Sequence, residues 1–554
     1  MTLSLQSDVS RKGSNVKAKG LALALLFFTL FSGKLAADEL VEVLRGFDDF
    51  DKAPANDVAK AAGDDLGDLD ESGFDDFDKA PANDAAKAPA DDPGDLDESG
   101  FDNVDTNKAG IDISNAALLE KKSNWYSFSG YTSFLGAYNY AQKSESVVAP
   151  GDMPMDFSGL SRARLKGALT LDMKHGENWR SKIEVIAWYD ASWAINGKEN
   201  YTQDVLDVYE SFFNLKDAYV QGSLTQSLDL KFGRQVAIWG KSDSIRITDV
   251  INPLDNREPG MVDIEDLRLS ELMTRLDYYF GDWGLSTMII HEPRLEIEAA
   301  FGSDYRPSNI FGDPIPYDKF PDRVDPDWSL ENTQYAMSLD GRFSGWDLSY
   351  YAAHVYNNRF GIEYLDNTPV RTFDMIDMIG IASNVVSGSW LFKAEAAYIN
   401  DIDYRSTGRK NRFDALIGFD YMGIKNTVIS LELADRHIFD YEEKMLTTTL
   451  QEAVAHNTFP DFVREDSLQI ALRTSYSFDH DNATANYLIS LAGGNGPGDS
   501  FDGGFQRLWI DYKYSDTVSL NAGVVDYIGG DGIIPFYRAI EDNDRVFAEI
   551  KYNF

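Results

Sequence analysis

The sequence predicts an all-β protein: a transmembrane antiparallel β-barrel of about 18 strands, with 16 as the alternative count, preceded by a disordered acidic tail. Three observations predict it. The chain closes on "RVFAEIKYNF", where Val546, Ala548, Ile550, Tyr552 and Phe554 alternate with Phe547, Glu549, Lys551 and Asn553, so one strand face is apolar and the other mostly polar. From Trp125 onward, strand-like segments are separated by gaps that alternate between short and long. Within those segments, charged residues stand opposite apolar ones.

The elements follow in chain order. Arg11, Lys12, Lys17 and Lys19 precede the apolar run "GLALALLFFTLFSG" at 20–33, and small residues follow it. This is the pattern of a secretory signal, with cleavage expected after Ala37 and a membrane anchor as the other reading. No cysteine follows the core, so lipoprotein processing is not expected, and an exported mature chain is. A chain without cysteine also has no disulfide, no thiolate metal site and no iron–sulfur cluster.

Residues 38–120 form the tail. "GFDDFDKAPAND" occurs at 46–57 and again at 73–84, a period of 27. Residues 38–108 hold 23 acids and 6 bases, a net −17 within a whole-chain charge of −40. So acidic a segment, rich in Ala, Pro and Gly, buries too little apolar surface to offset its ordering entropy, and disorder is expected. Phe47, Phe74 and Phe101 recur on it as spaced aromatic anchors. They suit multivalent docking of a partner, and an acidic spacer produced by duplication is the plainer alternative. "DLDESGFDD" places Asp68, Asp70, Ser72 and Gly73 as in a calcium loop, but position 12 is Lys79 instead of Glu, so no metal site is assigned.

Residues 121–554 are read as the barrel. Eighteen segments alternate, joined by short turns such as "GDW" (281–283), "SGSW" (387–390) and "MGIKN" (422–426), with long connections between. Short periplasmic turns and long external loops are the habit of outer-membrane barrels, and an even strand count puts both termini in the periplasm. The faces agree. Leu165, Leu169 and Leu171 oppose Arg162, Arg164 and Lys166; Tyr335, Met337 and Leu339 oppose Asp340 and Arg342; Leu508 and Ile510 oppose Arg507, Asp511 and Lys513. An Arg or Lys facing mid-bilayer lipid costs roughly 2–4 kcal/mol, so these charges, with Arg473, are expected to line a wet interior. Tyr552 and Phe554 end the closing strand and are the expected assembly signal, read by the barrel assembly machinery.

The connection at 230–283, "LKFGRQVAIWGKSDSIRITDVINPLDNREPGMVDIEDLRLSELMTRLDYYFGDW", together with "LSRARL" and "DVYESFFNLKDAYVQGSL", closely resembles a family of Gram-negative outer-membrane barrels catalogued as domain of unknown function 1302. The resemblance spans essentially the whole mature chain. It implies a porin-like barrel among outer-membrane lipid and lipopolysaccharide, and envelope transport, of lipids or other apolar molecules, beside an RND-type exporter and a periplasmic partner. It supplies no accepted site residues.

The residues themselves point to one loop. Residues 237–269 are too long for a simple strand connection and carry Lys241, Asp243, Arg246, Asp249, Asp255, Arg257, Glu258, Glu265, Asp266 and Arg268, stiffened by Asn252-Pro253. Folded into a lumen, such a loop fixes a transverse field and a constriction; alternatively, its charges pair with one another and hold it to the wall. An enzyme is not expected. His175, His291, His354, His437, His456 and His480 are scattered, with no nucleophile or metal spacing. No cofactor or nucleic-acid partner is expected. A channel remains, with a plugged barrel that docks periplasmic partners as the alternative.

Overall fold

The computed structural model describes residues 125–554 apart from 143–146, 149–153, 263, 308–319, 367, 448–460, 495–500, 531 and 533–535. The signal, the acidic tail with Phe47, Phe74 and Phe101, the calcium-like loop, the side chain of Glu265 and His456 lie outside the described residues.

Eighteen strands form the wall. They are β1 Tyr126–Asn139, β2 Gly159–His175, β3 Trp179–Asp190, β4 Ser211–Thr225, β5 Leu228–Gln235 and β6 Glu271–Phe280. There follow β7 Trp283–Ile290, β8 Gln334–Phe343, β9 Trp346–Leu365, β10 Thr368–Ser387, β11 Trp390–Tyr404 and β12 Gly408–Ile424. The last six are β13 Thr427–Ile438, β14 Asp466–Phe478, β15 Ala483–Gly493, β16 Phe501–Lys513, β17 Val518–Gly529 and β18 Arg545–Asn553. Each pairs antiparallel with the next in chain order, and β18 pairs with β1 from Tyr131↔Asn553 to Asn139↔Arg545, which closes the ring. Full closure leaves no edge strand, as a sheet in lipid requires. The seam continues one residue further, where the Gly130 and Phe554 backbones exchange two 3.0 Å hydrogen bonds.

Inside and outside follow from alternation. Ile379, Ile381, Phe392, Ile417 and Ile550 are exposed on the outer face, while Lys393, Glu395, Asp414, Glu432 and Arg507 on neighbouring strands are buried within. Ile417 is 65% exposed and Glu432 1%, the reverse of a soluble core. The turns at 281–282, 344–345, 388–389 and 425–426 are two residues long. They turn tightly because Gly281, Gly345, Gly388 and Asn426 take positive φ. Beside this end of the barrel the outer face carries an aromatic girdle. Tyr278–Phe280, Phe343–Trp346, Trp390–Phe392, Tyr476–Phe478 and Tyr552–Phe554 all stack, with centroids 4.3–6.3 Å apart.

Two of the expected long connections are absent. β9 and β10 extend to Leu365 and from Thr368 as a hairpin, and β11 and β12 extend through 401–410 as another that turns at 405–407. Each hairpin is re-registered by a bulge, at Tyr356/Phe360 and Ile399/Ile402. The gap lengths therefore do not alternate strictly. The remaining long connections sit at the end opposite the short turns, and one contributes the two-residue strand Asp322–Arg323, parallel to Val370–Arg371.

Candidate functional site

The chain leaves β5 at Gln235 and, after residue 235, does not return to the wall until Glu271. Buried apolar side chains seat this loop against the inside of the wall. Ala237, Trp239, Ile245, Ile247 and Ile251 join Tyr351 of β9, Met378 of β10, Ala397 of β11, Leu416 of β12 and Ala434 of β13 in one cluster. Trp239 stacks on Tyr351 with ring centroids 4.8 Å apart. Asn252 locks the base of the loop: its side chain accepts from the Ala237 N–H at 2.7 Å and donates to the Leu269 carbonyl at 2.8 Å.

The first half of the loop is held electrostatically by β9 to β13. Lys241 meets Asp347 of β9 at 2.9 Å. Asp243 pairs with Lys393 of β11, whose ammonium also lies 2.9 Å from Asp420 of β12 and 3.8 Å from Glu432 of β13. Two wall carboxylates accept from the loop backbone, Glu395 from Lys241, Ser242 and Thr248, and Glu432 from Asp243, Ser244 and Ile245. In the middle, Arg246 and Arg268 share Asp249 at 3.1 and 2.9 Å, and Arg257 pairs with Asp255.

The second half is anchored elsewhere. Glu258 accepts from Arg164 of β2 in a bidentate pair at 2.8 and 2.9 Å and also from Arg162. The Pro259 carbonyl accepts from the Tyr527 hydroxyl of β17, and Gly260 lies against Phe505 of β16. β2 and β11 are nine strands apart in a ring of eighteen, so they face each other across the barrel. The loop therefore makes contacts on opposite sides of the barrel interior.

Arg162 is the hub of the Glu258 end. Its side chain is 1% exposed, stacks on Tyr209 and Trp193, and faces Asp190 and Asp304 besides Glu258. Asp304 belongs to the next long connection, between β7 and β8, and also pairs with Arg545 of β18 at 3.2 Å. Burial alone would raise the Glu258 carboxyl, but the guanidiniums of Arg162 and Arg164 outweigh it and hold it well below the usual carboxylate range. In the same second connection, burial and the charge of Glu298 push Glu296 up to about 7. Glu298 resists its own burial because Arg306 and Arg371, each at 2.6 Å, pull it down to about 2.

All eight constriction candidates, Lys241, Asp243, Arg246, Asp249, Asp255, Arg257, Glu258 and Arg268, are thus in ion pairs. Some pair within the loop and some with the wall. These pairs tie the loop to itself and to the wall. Asp266 is exposed. Among the wall candidates, Arg162 and Arg507 are buried inside, Arg164 is half-buried beside Glu258, and Arg473 lies near the Trp509 ring. Lys166 lies over the Tyr131 ring, while Arg342, Asp511 and Lys513 are exposed near the short-turn end. Sequence reasoning missed Glu395, Glu432, Lys393, Asp420, Asp190 and Asp304. The available signal was an acid or lysine at an inward position of a strand, as in "FKAEA" (392–396) and "SLELADR" (430–436). Of the described histidines, His354 meets Asp377 at 2.8 Å, His291 meets Thr274, and His437 meets Asp466.

Solved structures resemble the chain at low identity. A BenF-like porin from Pseudomonas fluorescens Pf-5 is 10% identical, with a TM-score of 0.43, over 78% of this chain and 98% of that one. OpdK of Pseudomonas aeruginosa with vanillate is 8% identical, with a TM-score of 0.42, over 77% and 98%. OmpF of Salmonella typhi in complex with daunomycin is 10% identical, with a TM-score of 0.39, over 77% and 97%. Among curated proteins none matches. A family model described as "Protein of unknown function (DUF1302)" matches residues 122–554, and the chain belongs to that family.

Proposed function

We propose that the protein is an outer-membrane channel whose passage is narrowed by the loop between β5 and β6, with both termini and the short turns on the periplasmic side. One observation carries the reading: a charged, stiffened loop is anchored on opposite sides of the interior of a closed barrel that is apolar outside. An 18-strand barrel is wide enough for an aqueous channel, and a loop so anchored by fixed ion pairs narrows it and imposes a transverse field. Its cargo is a solute or an apolar molecule crossing the outer membrane. The exported tail lies on the periplasmic side and docks an envelope partner, with an RND-type exporter as the family resemblance implies. Tyr552 and Phe554, at the closing seam, serve as the assembly signal.

The interlocking of the loop with the β7–β8 connection through Asp304 favours a second reading, a plugged barrel that opens only with its partner. Single-channel recording of purified protein in planar bilayers separates the two. Discrete steps at modest voltage support the channel; silence across preparations that insert as folded barrels overturns it in favour of the plug.

A further inference from the structure

Seven loop donors converge on two wall carboxylates. Glu395 accepts from the N–H groups of Lys241, Ser242 and Thr248 at 2.5, 2.7 and 3.2 Å and from the Thr248 hydroxyl at 2.7 Å. Glu432 accepts from the N–H groups of Asp243, Ser244 and Ile245 at 2.7, 3.0 and 3.1 Å. Both glutamates are almost wholly buried. Segment 241–245 thus presents five consecutive backbone donors, the kind of concave N–H array that binds anions, and here the anions come from the wall. Hydrogen bonds to an ionised acceptor are roughly twice as strong as neutral ones.

The surroundings are shaped for this contact. Gly240 takes φ +87°, and a Cβ there would stand 3.0 Å from both Glu395 oxygens and 3.1 Å from the Thr248 hydroxyl. Gly380 of β10 leaves room for Thr248, whose methyl would lie 2.9 Å from an added Cβ. The Lys393 ammonium, buried between Asp243, Asp420 and Glu432, offsets the negative charge gathered there. A loop seated only by apolar packing would need neither the two glycines nor the paired acids.

We propose that Glu395 and Glu432 are the clasp that positions the constriction: they hold segment 240–248 against β11 and β13, and so set the width of the passage. The proposal rests on the channel reading for its effect on flux, but not for the clasp itself. Neither residue need touch the cargo. Releasing them frees the first half of the loop, while Glu258 still ties the second half to β2.

The native chain has no cysteine, which gives a direct test. Ile247, 2% exposed in the seated loop, is replaced by Cys as a reporter, and labelling by a bulky maleimide is timed on barrels shown to be folded by heat modifiability. In the Glu395→Gln/Glu432→Gln background the labelling rate rises at least tenfold, and single-channel conductance rises with it. The Gly240→Ala substitution, which acts from the loop side and leaves both acids in place, gives the same direction. Faster labelling without any change in conductance keeps the clasp and overturns the channel reading. Unchanged labelling in both folded backgrounds overturns the clasp.

Discussion

Replacing Glu258 by alanine removes the carboxylate that hydrogen-bonds two guanidiniums inside the barrel at once. Arg162 is 1% exposed and Arg164 11% by side chain, so neither is well placed to recover solvation from water. Asp190 and Asp304 remain, but at 3.4–3.9 Å from these guanidiniums they replace none of the three hydrogen bonds lost. Breaking a buried pair by removing one partner typically costs about 3–5 kcal/mol, because a charge is left uncompensated. The expected loss is of that order, provided the loop and wall unfold together. Urea-dependent folding into lipid vesicles, followed by tryptophan fluorescence, reads it, since Trp193 and Trp188 lie against Arg162 and Arg164. A control sets the interpretation. Replacing Glu258 with Gln keeps an acceptor beside Arg164 while removing the charge, and should cost less than the alanine change. The pH dependence has a definite sign. The folded carboxyl titrates below its unfolded value, so its stabilisation is complete above about pH 4.5 and is lost only as pH falls through the depressed folded value. A Glu258→Ala variant with the wild-type urea midpoint, or with the same midpoint as Glu258→Gln, refutes the reasoning.

Glu296 should behave in the opposite sense. Its folded carboxyl is raised to about 7, so between pH 4.5 and 7 the folded state holds a proton that the unfolded chain has lost, and stability falls as pH rises through that window. Glu296→Gln should flatten this slope in urea titrations at several pH values, and a slope equal to wild type sinks the assignment. Protease added to intact cells should cut the long connections at 320–333 or 439–465 and spare 38–120; cleavage within the acidic segment would invert the orientation. Changing Phe47, Phe74 and Phe101 to Ala together should leave a heat-modifiable barrel but lower crosslinked recovery of a periplasmic partner, because aromatics supply most of the buried area in such motifs. Recovery equal to wild type would leave the segment as a spacer.

The wall was legible because lipid outside and water inside impose a period of two on every spanning strand, and all eighteen segments carried it. What the pattern did not reach is the part of the sheet beyond the bilayer. Residues 358–371 and 401–410 continue the strands with charges mixed through both faces, so "NRFGIEYLDNTPVR" and "DIDYRSTGRK" read as loops. The aromatic girdle was present in the sequence as pairs two or three residues apart at strand ends. The loop was legible from its length and charge, but its partners were not. An inward acid such as Glu395 or Glu432 looks in sequence like any solvated lumen residue, and only the fold reveals that seven donors from 147 to 189 residues away point at the two of them. The same holds for Arg162, expected as a water-facing charge and found sealed between Glu258, Asp190 and Asp304.

The central claim is that the loop between β5 and β6 narrows an otherwise open barrel, and single-channel conductance of a loop-shortened barrel tests it most directly. Residues 240–258 are replaced by a short glycine-serine bridge, and heat modifiability verifies that the barrel folds. The account predicts small, ion-selective steps for the wild type and steps several-fold larger with weakened selectivity for the shortened chain. Equal conductance in the two, or silence in both, contradicts it.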